Sequence, residues 1–238
     1  MNDPTVVAVE RDGTGRHLVR DLRPGAFFAP RPLLPCPGRA RIALAGTRAG
    51  LLAGDETVLR ISVGPGARLE LVEPTGLVAY DHRGGTSRWR ARVDVAEGGT
   101  LTWNGLPFVV SEGADVERAM DVRLAAGARM LWRDTLVLGR SGERGGRIRA
   151  TTRVTYEDGE LLVEDLDLRD PDVRELPGIL GANRVIGSVS ALGATPPGPP
   201  HPYRTELAGP GAQVRLLDAV APAVEAELSA VWESWLPC

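Results

Sequence analysis

Between residues 58 and 168 the chain repeats one pattern: apolar and polar residues alternate, a Gly with a small or acidic neighbour interrupts, and the alternation resumes. The copies occupy 58–72, 90–103, 120–132 and 151–163. Their central glycines, Gly66, Gly98, Gly127 and Gly159, recur roughly every thirty residues. A fainter fifth copy spans 205–217. Period-two alternation sends one set of side chains to a buried face and the other to solvent. A central Gly supplies the positive φ of a tight connection. Each copy is therefore predicted to be a β-hairpin. The array predicts an all-β-dominated fold of stacked sheets, β-helix or solenoid-like.

The flanks are less regular. Residues 1–25 alternate weakly (Val7, Val9, His17, Val19) and predict an opening strand or two, and 40–44 predicts another. The stretch 27–37 carries Pro30, Pro32, Pro35 and Pro37, which points to an extended connection. Residues 134–140 read as a strand running into a polar, glycine-rich loop at 141–146. The pattern changes at Asp170-Pro171. Leu176, Ile179, Leu180, Val185, Ile186 and Val189 recur at spacings nearer three and four, predicting one interrupted helix over 173–192. After a proline-rich loop at 195–202, Val220, Val224, Leu228, Val231, Trp232 and Trp235 form a helical stripe. Asp218 is its expected cap, with Glu225 and Glu227 mostly on the opposite side. Neither helix could bury its face except on the sheet. Residues 1–238 thus read as a single domain, with the hairpin array at about 40–170 and helical and closing segments over 171–238.

Composition narrows the function. Hydrophobic residues make up 43% and aromatics only 5%, so the core must rest mainly on Leu, Val and Ala. The net charge of −3 argues against a nucleic-acid surface. All 28 basic residues are Arg; without Lys, neither a P-loop nor Schiff-base chemistry is available. Cys36 and Cys238 do not make a disulfide framework. No secretory signal is visible, and the longest uncharged run, 185–203, is too rich in Pro and Gly for a membrane helix. A soluble, cytoplasmic protein with no membrane partner is expected.

No catalytic constellation emerges. His17, His82 and His201 are scattered as surface or loop residues, without metal-ligand spacing. Gly139-Arg-Ser-Gly-Glu143 lacks the residue that a nucleophile elbow needs between Ser and the last Gly. Glu157, Asp158, Glu160, Glu164, Asp165 and Asp167 could supply a glycosidase acid and nucleophile on a β-solenoid, or simply keep a strand face charged. A sugar groove would want more aromatics. A binding or scaffolding protein that is not an enzyme is favoured, whether it handles metal or is a metal-independent β-rich module.

Several phrases follow one another along the chain: Gly50-Leu-Leu-Ala-Gly-Asp55, the Pro-Gly-Ala turn at 65–67, Trp103-Asn-Gly-Leu-Pro-Phe108, the Leu-Ala-Ala-Gly-Ala turn at 124–128, Leu136-Val-Leu-Gly-Arg140 followed by Gly142-Glu143, Leu216-Leu-Asp218 and Trp232. In that order they resemble the UreD (UreH) family of urease accessory proteins over residues 31–235. The spacing around Ser141 and the stretch 80–85 depart from the family pattern, so His82 inherits no role. The resemblance implies stacked sheets with two helices and no catalysis. It also implies complexes with UreF, the GTPase UreG and the urease apoprotein subunits, and Ni²⁺ carried in transit through a water-filled passage, with no tightly bound cofactor. Asp55, Thr75, Asp134, Glu143 and Glu164 are the expected oxygen donors along that passage, weak enough to release the ion. Leu228, Trp232 and Trp235 are the candidate partner-binding anchors.

Overall fold

In a computed structural model the described residues are 3–34, 36–198 and 201–236. The elements in order are β1 (Thr5–Arg11), β2 (His17–Arg23), β3 (Phe28–Pro32), β4 (Ala40–Gly46), β5 (Glu56–Val63), β6 (Arg68–Val72), β7 (Leu77–Ala79), β8 (Ser87–Val95) and β9 (Thr100–Asn104). They continue with β10 (Phe108–Val110), β11 (Asp115–Leu124), β12 (Arg129–Leu138), β13 (Arg147–Tyr156), β14 (Gly159–Asp167) and α1 (Pro171–Arg174). Last come β15 (Val185–Leu192), β16 (Arg204–Glu206), β17 (Gly211–Asp218) and α2 (Ala221–Trp235).

Two sheets face each other. The first runs β14-β13-β11-β8-β5-β1-β2; the second runs β16-β17-β15-β12-β9-β6-β4-β3, with β7 and β10 attached at β12. The stacked, solenoid-like sheets follow the sequence expectation, but the repeat unit does not. In the first three copies the two strands around Gly66, Gly98 and Gly127 lie in opposite sheets, so each copy is an arch and not a hairpin. Each strand pairs in parallel with its counterpart in the next copy: β5 with β8, β8 with β11, and β6 with β9. Copies with the same alternation stack in register, and the ladder satisfies the backbone between copies. Ile61, Val93, Val122 and Val154 form one such row, each at most 1% exposed. Leu71, Trp103 and Trp132 form another in the facing sheet.

Gly66, Gly98 and Gly127 all take positive φ, which is what turns the chain from one sheet to the other. The fourth and fifth copies are true antiparallel hairpins, β13–β14 and β16–β17, at the sheet ends where no further coil is available to pair. In the fourth the positive φ falls on Glu157, and Gly159 is ordinary backbone.

The helix expected over 173–192 is not there. Only one turn, α1, forms; Asp170 caps it by accepting from the amides of Asp172 and Val173. Residues 185–192 are strand β15, buried on both faces. A strand covered on both sides shows no alternation, so its apolar run imitated a helical spacing. Its inward side chains, Ile186 and Leu192, join the core between the sheets, and Val185, Val189 and Ala191 pack under α2.

The C-terminal helix does form, with Val224, Leu228, Val231, Trp232 and Trp235 buried against the outer face of the second sheet. Two local expectations fail. Val220, not Asp218, is the N-cap residue, and Asp218 accepts from the Val220 amide just ahead of the helix. Glu225 turns towards the sheet and holds Arg133 at 2.9 Å and Thr135 Oγ1 at 2.6 Å. Arg133 is 6% exposed; a cation so buried needs an acceptor, and this one fixes the helix register.

Gly187 on β15 is what lets α2 lie so close: an added Cβ would collide with Val224 and meet Leu228 Cδ1 at 2.6 Å. Gly187→Ala should therefore lose about 2 kcal/mol by overpacking, read from chemical unfolding. A stability within error of wild type would show that the helix is free to slide.

Candidate functional site

Between the two sheets, charged side chains from successive coils come together around one ion pair. Asp134 on β12 faces inward because alternation places Trp132, Asp134 and Leu136 on the core side, while Arg133 and Thr135 meet α2. Across the sheets Arg118, from β11, forms a two-pronged bridge to Asp134, both N–O distances being 2.7 Å. The guanidinium lies 4.8 Å from the Trp89 ring centre and 5.5 Å from that of Phe108. The two charged side chains are only 11% and 20% exposed.

On one side of this pair lies a cavity of about 20 Å³ whose walls include Glu73, Trp89, Trp103, Leu106 and Phe108. Glu73 accepts from the Trp103 indole at 2.8 Å and from the Leu106 amide at 3.1 Å. Burial pushes its carboxyl up to about 7, against the opposing pull of those two donors and of Arg118. On the other side lies a cavity of about 30 Å³, bounded by Thr152, Glu164, Ser188 and Arg215. Arg215 reaches Glu164 at 2.5 Å across the sheets. Each cavity is large enough for a water molecule. Both share Arg118, Trp132 and Asp134 as walls, and Thr152 and Glu164 also border the open groove on the outer face of the first sheet.

The order is thus groove, Glu164, Asp134–Arg118, Glu73: a buried polar seam. Carboxylates are its possible cation ligands; among the described residues no cysteine or histidine lines either cavity. Among the described residues no group of three or more His, Cys, Asp or Glu is arranged to hold a metal ion.

Of the five expected passage residues, the structure brings Asp134 and Glu164 to one cavity. The other three lie outside the walls of both cavities. Asp55 closes its own turn by accepting from the Leu52 amide at 2.8 Å and pairs with Arg48. Thr75 is exposed in the turn between β6 and β7. Glu143 sits in the β12–β13 loop, held down to about 2 by the Arg140 side chain and by the amides of Arg140 and Glu112.

Glu73, Arg118 and Arg215 were not anticipated. Glu73-Pro-Thr-Gly76 reads as turn chemistry, and no sequence signal marks an Arg whose partner lies on the facing sheet. Nor do the carboxylates at 157–167 converge: alternation turns Glu164 inward, while Asp165 and Asp167 meet Arg149 and Arg169 outside. His82 is buried rather than exposed, its Nδ1 accepting from the Asp115 amide at 3.0 Å. Cys36 is a free thiol, and Cys238 lies outside the described residues. Leu228, Trp232 and Trp235 are all at most 9% exposed, spent on the protein's own sheet. Any partner meeting α2 does so through its other side, where Glu227 and Glu233 are exposed. Neither helix is long and apolar enough to cross a membrane.

Two stacked sheets backed by one helix, with charged groups buried between them, define a β-solenoid with a polar seam in its core. The profile of the UreD urease accessory protein family matches residues 5–236, and the chain belongs to that family. It is 75% identical to urease accessory protein UreD 1 of Streptomyces griseus, over 98% of this chain and 92% of that one. It is 35% identical to urease accessory protein UreD of Frankia casuarinae, over 91% and 78% of the two chains. With UreD 1 of Saccharopolyspora erythraea the identity is 34%, over 81% and 77%. The chain is a urease accessory protein, and its place is in urease maturation.

Proposed function

We propose that this chain is a non-catalytic cytoplasmic scaffold that binds urease apoprotein together with UreF and UreG and lets Ni²⁺ pass along its buried seam towards the urease active site. The observation that carries the reading is the succession of Glu164, Asp134 and Glu73 through two neighbouring cavities. Carboxylate oxygens without a thiolate or imidazole bind a divalent ion weakly and release it. Asp134 is the central residue, because it lines both cavities.

The test is co-expression of the urease subunits, UreF and UreG with wild-type chain, with no chain, and with Asp134→Ala. Urease from cells lacking the chain should be nickel-poor and inactive. Asp134→Ala should lower nickel content and ureolysis severalfold while the purified complex keeps its composition. Full activation with Asp134→Ala would reject the seam as the route, and full activation without the chain would reject the maturation role itself.

A further inference from the structure

The two cavities do not merge, and what divides them is specific. Arg118, Trp132 and Asp134 are the residues common to both walls, so the Arg118–Asp134 bridge is the partition. Both Asp134 oxygens accept from the guanidinium at 2.7 Å, so an ion bound to Asp134 sits against the positive charge of Arg118. Yet Arg118 is not fully held: its Nε is buried without a hydrogen-bond partner. A second acceptor, Glu73, stands in the cavity that Arg118 also lines. The side chain is long, and its stacking on Trp89 and Phe108 permits a swing that a hydrogen-bonded Nε would oppose.

We infer that Arg118 is the gate of the seam, a tethered cation standing in the place that a passing divalent ion must take. The inference rests on the seam being the nickel route. A divalent cation competes for Asp134 with twice the charge of the guanidinium, whereas a monovalent ion has no such advantage and stays out. On displacement the guanidinium moves towards Glu73, whose carboxyl the approaching cation favours in its charged form, in a medium where an unpaired charge is costly. Arg118 thus determines which ions enter as well as whether the seam is open. Arg215, whose Nε is likewise buried and unpartnered beside Glu164, stands at the next station in the same relation.

The experiment is equilibrium dialysis of the purified full chain against Ni²⁺ and, separately, Na⁺. The chain is compared as wild type, Arg118→Met and Arg118→Met with Asp134→Asn. Met keeps the stack on Trp89 and Phe108 but removes the charge and frees Asp134. Arg118→Met should retain one Ni²⁺ per chain at least about tenfold more tightly than wild type. The double variant should lose that gain, and Na⁺ should not compete. Nickel retention equal to wild type in Arg118→Met, or a gain that survives in the double variant, overturns the gate.

Should Arg118→Met fail to fold, Arg118→Lys decides: one bond replaces the fork, and retention must exceed wild type, or the idea fails. The gate and the route fail separately. Loss of urease activation in Asp134→Ala without a nickel gain in Arg118→Met leaves the route standing and removes the gate. Normal activation in Asp134→Ala removes both.

Discussion

Trp103→Ala is expected to cost about 4 kcal/mol of stability, the largest loss foreseen for any single substitution here. The indole is 1% exposed, in register with Leu71 and Trp132 along the second sheet, and its ring centre lies 6.4 Å from that of Trp89 on the first. Alanine leaves a void where two sheets and two coils of the solenoid meet, and parallel neighbours pinned by their ladders have little freedom to collapse into it. The indole also donates to Glu73, so the same change strips a buried carboxyl of one of its two donors. Trp103→Phe separates the effects, since it restores most of the volume but not the N–H. Chemical unfolding should show Phe recovering more than half of the loss. Equal losses for Ala and Phe would place the energy in the hydrogen bond and not in the packing.

The second large effect is a pH dependence. Glu73 titrates at about 7 in the folded protein, against an ordinary value of 4.5. Below 4.5 the proton is bound in both states and the residue contributes no pH dependence. As pH rises from 4.5 to 7 the unfolded chain releases the proton while the folded chain retains it, so stability falls. The fall amounts to about 3 kcal/mol and levels off above pH 7. Glu73→Gln carries no titrating proton, and whatever it costs through altered hydrogen bonding is constant with pH. The readout is the difference between wild type and Glu73→Gln in unfolding free energy, followed from pH 4.5 to 8. It should shift by about 3 kcal/mol in favour of the variant; a flat difference would mean that Glu73 is solvated and titrates normally. Asp165 and Asp167 are held low by arginines, but they are exposed on the outer face and common to both proteins, so they drop out of the comparison.

Much of the site was out of reach of sequence reasoning, for reasons that individual residues make plain. Asp134 was legible because it sits next to a family phrase; Glu164 has no such phrase beside it, and its carboxylate-rich strand fitted a charged face or a glycosidase equally well. Their convergence was not legible, since β12 and β14 are in different sheets and only the stacking of those sheets faces them across one cavity. Asp55 and Glu143 carried similar signals and proved to be closing their own loops. A carboxylate's local hydrogen bond and its long-range partner leave the same mark on the sequence. Arg118 left none: with every basic residue an arginine, a functional guanidinium is indistinguishable from the many that pair on the surface. Trp232 and Trp235 show the converse, an apolar stripe that predicts a helix and its buried face without telling whether sheet or partner covers it.

By itself the sequence determined the strand-rich character, the recurrence of coils, the glycines that turn them and the closing helix, because alternation, positive φ and helical periodicity are local properties. Only the tertiary structure decided that the two strands of a copy part into opposite sheets. It likewise made 185–192 a doubly covered strand, and set Glu73, Arg118, Asp134 and Glu164 in file between the sheets. Those outcomes depend on which strand lies beside which. Ladder pairing between coils some thirty residues apart sets that order, and no local pattern encodes it.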